Sequence, residues 1–326
     1  MAFSRAFWKT GRLLPNKQRF PDMAALAAYL HSKGLKLGLS SSATSHTCSG
    51  YVGSQGHELE DAALFAGWGI DYLRYGWCPL TIDKQKPPPD MIGAFVTMRQ
   101  GLDEENRNIV YSVSTYARNA SWKWATPIAG ANSWGTTPAM YDAWSVLSAN
   151  GFRHPDLAPY AMPGHWNNPG RLMAGRTGFG SLHFSHLTLP EQMAQLSLWS
   201  LQAAPLILSC DLSQLDPNAF HRITTALLGL PQAAVKSGLV RFLMERWPWD
   251  CSIWQEAPRL SPCPGRLWGC PAPQPVRDLW LRRELGSATD TLIAQVLAPG
   301  VAWVRIGAPG PLKLPPAPVS EPERGD

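Results

Sequence analysis

From Phe20 to Cys210 the apolar positions keep switching between two spacings: a helical one, with partners three and four apart, and short unbroken runs of strand length. A glycine or tight turn separates the two each time. In "FPDMAALAAYLHSKGLKLGLS", Met23, Leu26, Ala27 and Leu30 share one helical face, Gly34 suits a left-handed cap, and Leu35 to Ser40 is the strand that follows. "GHELEDAALFAGWGIDYLRYG" repeats the unit, with a helix near 57–67 and a strand near 70–75. A helix around 91–103 leads to the strand "NIVYSVST", and "AWSVLSAN" makes a further helix before the loop "YAMPGHWNNPGRL". The last unit, "TLPEQMAQLSLWSLQAAPLILSCDL", opens with Thr188 as N-cap, Pro190 in the first turn where its missing N–H costs nothing, and Glu191 completing a capping box. Its strand is Pro205 to Ser209.

Helices alternating with strands through short crossovers imply a parallel sheet, and polar or aromatic residues gathered at successive strand ends favour a barrel with its site at that rim. A doubly wound nucleotide fold is the rival architecture, but no strand runs into G-x-G-x-x-G or a phosphate-binding G-x-x-x-x-G-K-[ST] loop. The texture changes after residue 225. Residues 237–275 are rich in Pro, Trp, Arg and Cys without a period, so no elements are assigned there. Strand-like alternation returns in "VRDLWLRRELGSATDTLIAQVLAPGVAWVRIG", with turns at Gly286 and Pro299-Gly300, as in an antiparallel sheet. The proline-rich tail from Ala308 reads as disordered.

At 326 residues, 45% hydrophobic and 16% charged, the chain has the length for a large domain with a small companion. The net charge of +5 comes from 29 basic and 24 acidic residues spread along the chain, without the dense Lys/Arg run of a nucleic-acid footprint. No apolar run reaches the roughly 18 to 20 residues that span a bilayer, and the start "MAFSRAFWKTGRLLPNKQRF" has no apolar core of signal-peptide length. Neither nucleic acid nor membrane is therefore an expected partner, while compartment and oligomeric state stay open. The six cysteines, Cys48, Cys78, Cys210, Cys251, Cys263 and Cys270, form no C-x-x-C pair of a zinc or redox site, so no metal is expected.

The segments 19–78, "SWGTTPAMYDAW", "DLAPYAMPGHWNNPGRLMAG" and "LSLWSLQAAPLILSCDL" together resemble the melibiases, the α-galactosidases and α-N-acetylgalactosaminidases of glycoside hydrolase family 27. "SKGLKLG", "TCSGY", "GHE" and "PGHWN" stand in the family's order and spacing, and "VRDLWLRRELGS" is similar to its C-terminal β-domain. The resemblance implies a (β/α)8 TIM barrel at 1–225, a divergent segment at 226–275, a remnant of a small antiparallel β-sandwich at 276–307 and a tail at 308–326. It also implies retaining hydrolysis of terminal α-galactosides, a carbohydrate ligand, and no cofactor. Retention needs two carboxylates about 5 to 5.5 Å apart, one attacking the anomeric carbon and one serving as acid and then base.

The residues at those two positions depart from the family. Where the strand typically ends K-Y-D-x-C with the nucleophile, this chain has Arg74-Tyr75-Gly76-Trp77-Cys78, which puts Gly76 at the nucleophile position. Where the family has "SWRTTGDI" with its acid/base, this chain has Ser133 to Met140, so Ala139 stands for the acid/base and Gly135 for the arginine before it. W-N-D-P-D-M-L has become Trp166-Asn167-Asn168-Pro169-Gly170-Arg171-Leu172, without either acid. Nothing like the family's first two strands precedes "FWKTGRLLPNKQRFPDM", so an incomplete barrel is expected. The resemblance further implies a disulfide between Cys48 and Cys78, with Ser114 at a third family cysteine.

Arg74, Trp77, Tyr116, Trp134 and Trp166 fall at or near strand ends, where aromatic faces could stack on a sugar, so they are the candidate substrate contacts. Trp134 and Trp166 serve equally well as filling for the barrel's upper core. His57 and Glu58 read as structural groups at a helix start. Asp142, one turn beyond Ala139, reads as serving the start of the helix through Trp144. The functional expectation is an α-galactosidase-like hydrolase by resemblance that is inactive as written. The alternatives are a non-catalytic carbohydrate-binding pseudoenzyme, or a decayed gene product in which a compensated frameshift left the aperiodic stretch at 226–275.

Overall fold

A computed structural model of the chain describes residues 13–78, 90–138, 141–152, 155–178, 182–214, 273–278, 280, 283–288 and 304–306. The elements in order are α1 (Met23–Ser32), β1 (Gly38–Ser42), α2 (Glu58–Gly67), β2 (Tyr72–Gly76), α3 (Met91–Glu104), β3 (Val110–Ser114), β4 (Ser133–Gly135), α4 (Trp144–Phe152), β5 (Trp166–Asn168), β6 (Arg176–Thr177), β7 (His183–Phe184), α5 (Leu189–Leu201), β8 (Gln274–Asp278), β9 (Arg283–Ala288) and β10 (Val304–Ile306). Short 3-10 turns at Arg118–Lys123, Pro155–Tyr160 and Leu212–Gln214 link some of them. The chain divides into two compact units, residues 1–140 with 152–170, and residues 141–151 with 171–326.

In the first unit β1 to β5 form one parallel sheet in chain order, which is barrel rather than doubly wound topology. Asp22 caps α1 by accepting from the Ala25 N–H at 2.9 Å, and Gly34 closes it at φ +71°. The first strand begins at Gly38, later than the expected Leu35. Leu37 is still crossing the sheet's lower edge, where its N–H donates to the Asp71 carboxylate at 2.8 Å. The core lies between sheet and helices. Tyr75 meets Phe95 of α3 edge-on at 5.4 Å, and the Tyr111 hydroxyl donates to the Phe95 carbonyl at 3.0 Å. A Cβ at Gly101 would sit 2.8 Å from the Ala62 methyl, so glycine there lets α2 and α3 touch.

Below the sheet, Asp71 binds His31 Nε2 at 2.8 Å and Arg107 Nη2 at 2.9 Å, with Lys36 further off at 3.5 Å. Arg107 also donates to the Ile70 and Gly69 carbonyls, both at 2.8 Å. Burial pushes the Asp71 carboxyl up, but the hydrogen bonds from His31 and Leu37 and the nearby charges outweigh it, and the carboxyl stays below its ordinary range.

In the second unit the capping box of α5 forms as expected, with the Thr188 N–H donating to Glu191 Oε2 at 2.6 Å. Any side chain at Gly151 would collide with Leu198, so glycine lets α4 press on α5, and Gln202 Nε2 donates to the Gly151 carbonyl at 2.7 Å. The strand expected at Pro205 to Ser209 is reduced to one parallel bridge, Leu172 to Leu208. The β8, β9 and β10 strands make an antiparallel sheet in the order β10-β8-β9. Gly286, expected as a turn, lies inside β9 at φ +93° opposite Val276, beside a bulge at Val276/Arg277. Pro299-Gly300, residues 226–272 and the tail at 308–326 lie outside the described residues. No described helix is long and apolar enough to cross a membrane.

Candidate functional site

Side chains along a strand alternate between faces, and register partners in a parallel sheet share a face. Tyr75 and Trp77 both pack on Phe95, Trp77 with ring centroids 6.5 Å apart, so this parity of β2 faces the helices. Arg74 and Gly76 therefore look the other way, toward the barrel axis. The ladder carries the assignment across the sheet: Ser40 and Ser42 pair with Arg74 and Gly76, Ser112 and Ser114 stand on their other side, then Ser133 and Gly135, then Trp166 and Asn168. No carboxylate stands on the inner face of these five strands.

Serines, glycines, Arg74, Trp166 and Asn168 occupy it. Arg74 Nη2 donates to Ser114 Oγ at 2.7 Å, and Ser133 Oγ donates to Ser112 Oγ at 2.8 Å. The Gly76 carbonyl accepts from the Ala43 N–H at 2.8 Å and from Ser42 Oγ at 3.2 Å. A Cβ built at Gly76 would meet Ser41 O at 3.5 Å, Ser114 O at 3.8 Å and Cys78 Sγ at 3.9 Å, all ordinary contacts, and its φ is not left-handed. Neither crowding nor backbone conformation requires glycine at this strand end. Gly135 is equally open, with Ser114 Cα and Val113 O at 3.9 Å. Ala139 lies outside the described residues.

The five candidate contacts separate. Arg74 and Trp166 are on the inner face, and Trp166 is half-buried. Trp77 is corrected, and Trp134 takes the core-filling alternative: they are 6% and 0% exposed on the helix-facing side, and Trp134 Nε1 donates to Asn167 Oδ1 at 2.8 Å. Neither has a face to offer a sugar. Tyr116 follows β3 in a loop where Tyr116, Ala117, Asn119 and Ala120 all have positive φ, and its hydroxyl lies 3.2 Å from Cys48 Sγ. Cys48 and Cys78 are joined as a disulfide, with Cα atoms 5.1 Å apart, pinning the loop after β1 to the end of β2. His57 is the N-cap residue of α2, and Glu58 accepts from the Gly56 N–H at 3.2 Å, which is the structural role expected.

Asp142 belongs to a different arrangement from the one expected. Its Oδ2 lies 3.1 Å from His183 Nε2 and 3.1 Å from His186 Nδ1, and accepts the His186 backbone N–H at 2.9 Å. Burial pushes this carboxyl up, but those hydrogen bonds outweigh it and hold it below its ordinary range. The H-x-x-H spacing of His183 and His186 is visible in the sequence, but nothing local ties it to a carboxylate 41 residues upstream.

The sequence profile of the Melibiase_2 family, described as "Alpha galactosidase A", matches residues 2–226. The chain belongs to this family. It is 36% identical over 235 residues to alpha-galactosidase A of Cellvibrio japonicus, covering 67% of this chain and 54% of that one. It is likewise 36% identical over 229 residues to the alpha-N-acetylgalactosaminidase of Rattus norvegicus, covering 67% of this chain and 52% of the relative. The chain thus spans about half the length of these curated melibiase relatives. Alpha-galactosidase I of Mortierella vinacea has a similar fold, with a TM-score of 0.68 at 22% identity over 93% of this chain and 84% of that one. The raffinose-bound α-galactosidase of Saccharomyces cerevisiae gives 0.67 at 19% identity, over 94% and 88%. The five-stranded parallel sheet with its helices is the corresponding part of the melibiase TIM barrel.

Proposed function

We propose that this chain presents the melibiase barrel rim to a terminal α-galactoside-type sugar but does not hydrolyse it. The carrying observation is the inner face of β1 to β5, where serines, glycines, Arg74, Trp166 and Asn168 stand and no carboxylate does. A retaining glycosidase needs one carboxylate to form the glycosyl-enzyme and another to protonate the leaving oxygen. At β2 the nucleophile's place by family resemblance is Gly76, where a Cβ would meet the Ser41 and Ser114 carbonyl oxygens and Cys78 Sγ at ordinary contact distances. Ser112, Ser114 and Ser133 are buried and already hydrogen-bonded, so the groups left for a sugar are the half-buried ones: Arg74 and Asn168 can hydrogen-bond its hydroxyls, and Trp166 offers an apolar ring.

The test uses a chromogenic α-galactoside on the chain as it stands, on Gly76→Asp combined with Ala139→Asp, and on the unmodified chain with formate or azide. The expected results are no turnover in the unmodified chain, measurable turnover in the double variant, and galactose binding by calorimetry in both. Turnover by the unmodified chain without an added anion overturns the proposal, as does failure of galactose to bind.

A further inference from the structure

Asp142, His183 and His186 are brought together by the fold from two separate stretches of the second unit. One ligand atom from each lies within 4.8 Å of the other two. A four-coordinate zinc with bonds of about 2.0 to 2.1 Å holds its ligand atoms about 3.3 Å apart. The two Asp142–histidine separations, both 3.1 Å, already match that spacing. The imidazole rings are stacked at 4.8 Å with planes 25° apart, so one edge of each ring is turned to the same carboxylate oxygen. A small further approach of the two rings closes the set.

The surroundings suit a bound cation. Asp142 is largely buried, with 15% of its side chain exposed, while His183 and His186 are 41% and 74% exposed. The carboxylate is fixed by the His186 backbone N–H at 2.9 Å, a partner that stays in place when the oxygen takes a metal and orients it. The open side faces solvent, where water can complete the coordination. Two imidazoles and one carboxylate are a borderline donor set that favours Zn²⁺ over Mg²⁺ or Ca²⁺, which take oxygen ligands.

We propose that Asp142, His183 and His186 form a zinc site that ties the residues just before α4 to β7 and the turn that follows it. Binding requires the ring nitrogen of each histidine that faces Asp142 to be without a proton, and involves no change of oxidation state.

The experiment is titration of the full chain with Zn²⁺ by calorimetry and with Co²⁺ by visible absorption, alongside Asp142→Asn, His183→Gln, His186→Gln and Cys210→Ser. The expected result is one equivalent bound, with cobalt d–d bands free of thiolate charge transfer. Each of the three ligand variants should weaken binding by at least about tenfold. Cys210→Ser should leave it unchanged, because Cys210 is the free thiol among the described residues and is not part of the trio. His186→Gln sits on an exposed side chain and tests the site without disturbing packing. The proposal is overturned if the three ligand variants bind as the parent does, if binding is lost in Cys210→Ser, or if no metal binds.

Discussion

Asp61 offers a quantitative test of the barrel unit. It sits in the first turn of α2, a favourable place for a carboxylate beside the helix dipole, yet it is 1% exposed and its Oδ2 has no hydrogen-bond partner. Burial is the largest influence and pushes its pKa from 3.8 up to about 6; a Ser54 hydrogen bond and His57 pull down, while Glu58 and Glu60 push up. Holding this side chain ionised at neutral pH therefore costs about 3 kcal/mol, at about 1.36 kcal/mol per pH unit between 3.8 and about 6. A raised folded-state pKa means the native chain holds the proton more tightly than the unfolded one. Its contribution is fully present below 3.8 and is lost as pH rises through about 6. Asp61→Asn keeps the shape and removes the titration. Urea unfolding followed by fluorescence should give parent and variant the same midpoint at about pH 3.5, and a variant more stable by about 3 kcal/mol at about pH 7.5. A gap of equal size at both pH values, or a variant less stable at the higher one, would refute burial as the cause.

Three further outcomes follow from other contacts. Asp71→Asn should cost about 2 kcal/mol, less than for a fully buried network because His31 and Arg107 keep 34% and 32% of their side chains in water. The lowered Asp71 pKa makes that contribution present above its unfolded value and lost as pH falls below it, so parent and variant midpoints should converge in acid. Reducing Cys48–Cys78, which closes a separation of 30 residues, should remove about 3.5 kcal/mol, read as a drop in Tm that Cys48→Ser with Cys78→Ser reproduces. Gly76→Ala alone should stay within about 1 kcal/mol of the parent in urea unfolding, because its Cβ meets only ordinary contacts of 3.5 to 3.9 Å; a larger loss would mean that the space is not there.

Much of the fold was legible because it rests on local physics. Helical spacing placed α1 to α5, Gly34 and the Thr188–Glu191 box marked helix ends, and alternation with strands pointed to a parallel sheet. These signals act within a few residues, where backbone sterics and capping hydrogen bonds operate. Strand limits were less secure. Leu35 and Leu37 look like strand on apolarity, but the Asp71 carboxylate claims the Leu37 N–H. Pro205 to Ser209 has the composition of a strand and pairs only at Leu208.

The candidate site shows where sequence reasoning reached its limit. Trp77 qualifies as a sugar contact by its place at a strand end, yet neighbours along a strand point to opposite faces. The same parity sends Trp134 to the helix side and leaves Arg74 and Trp166 on the inside. The residue types at the strand ends, glycine at Gly76 and Gly135 among them, are fixed by the sequence alone. Tertiary structure alone decided which of those residues share a face, that a side chain fits at Gly76, and that Asp142 meets His183 and His186. The reason is physical: face and proximity depend on register and on contacts between segments about forty residues apart, and no local propensity encodes either.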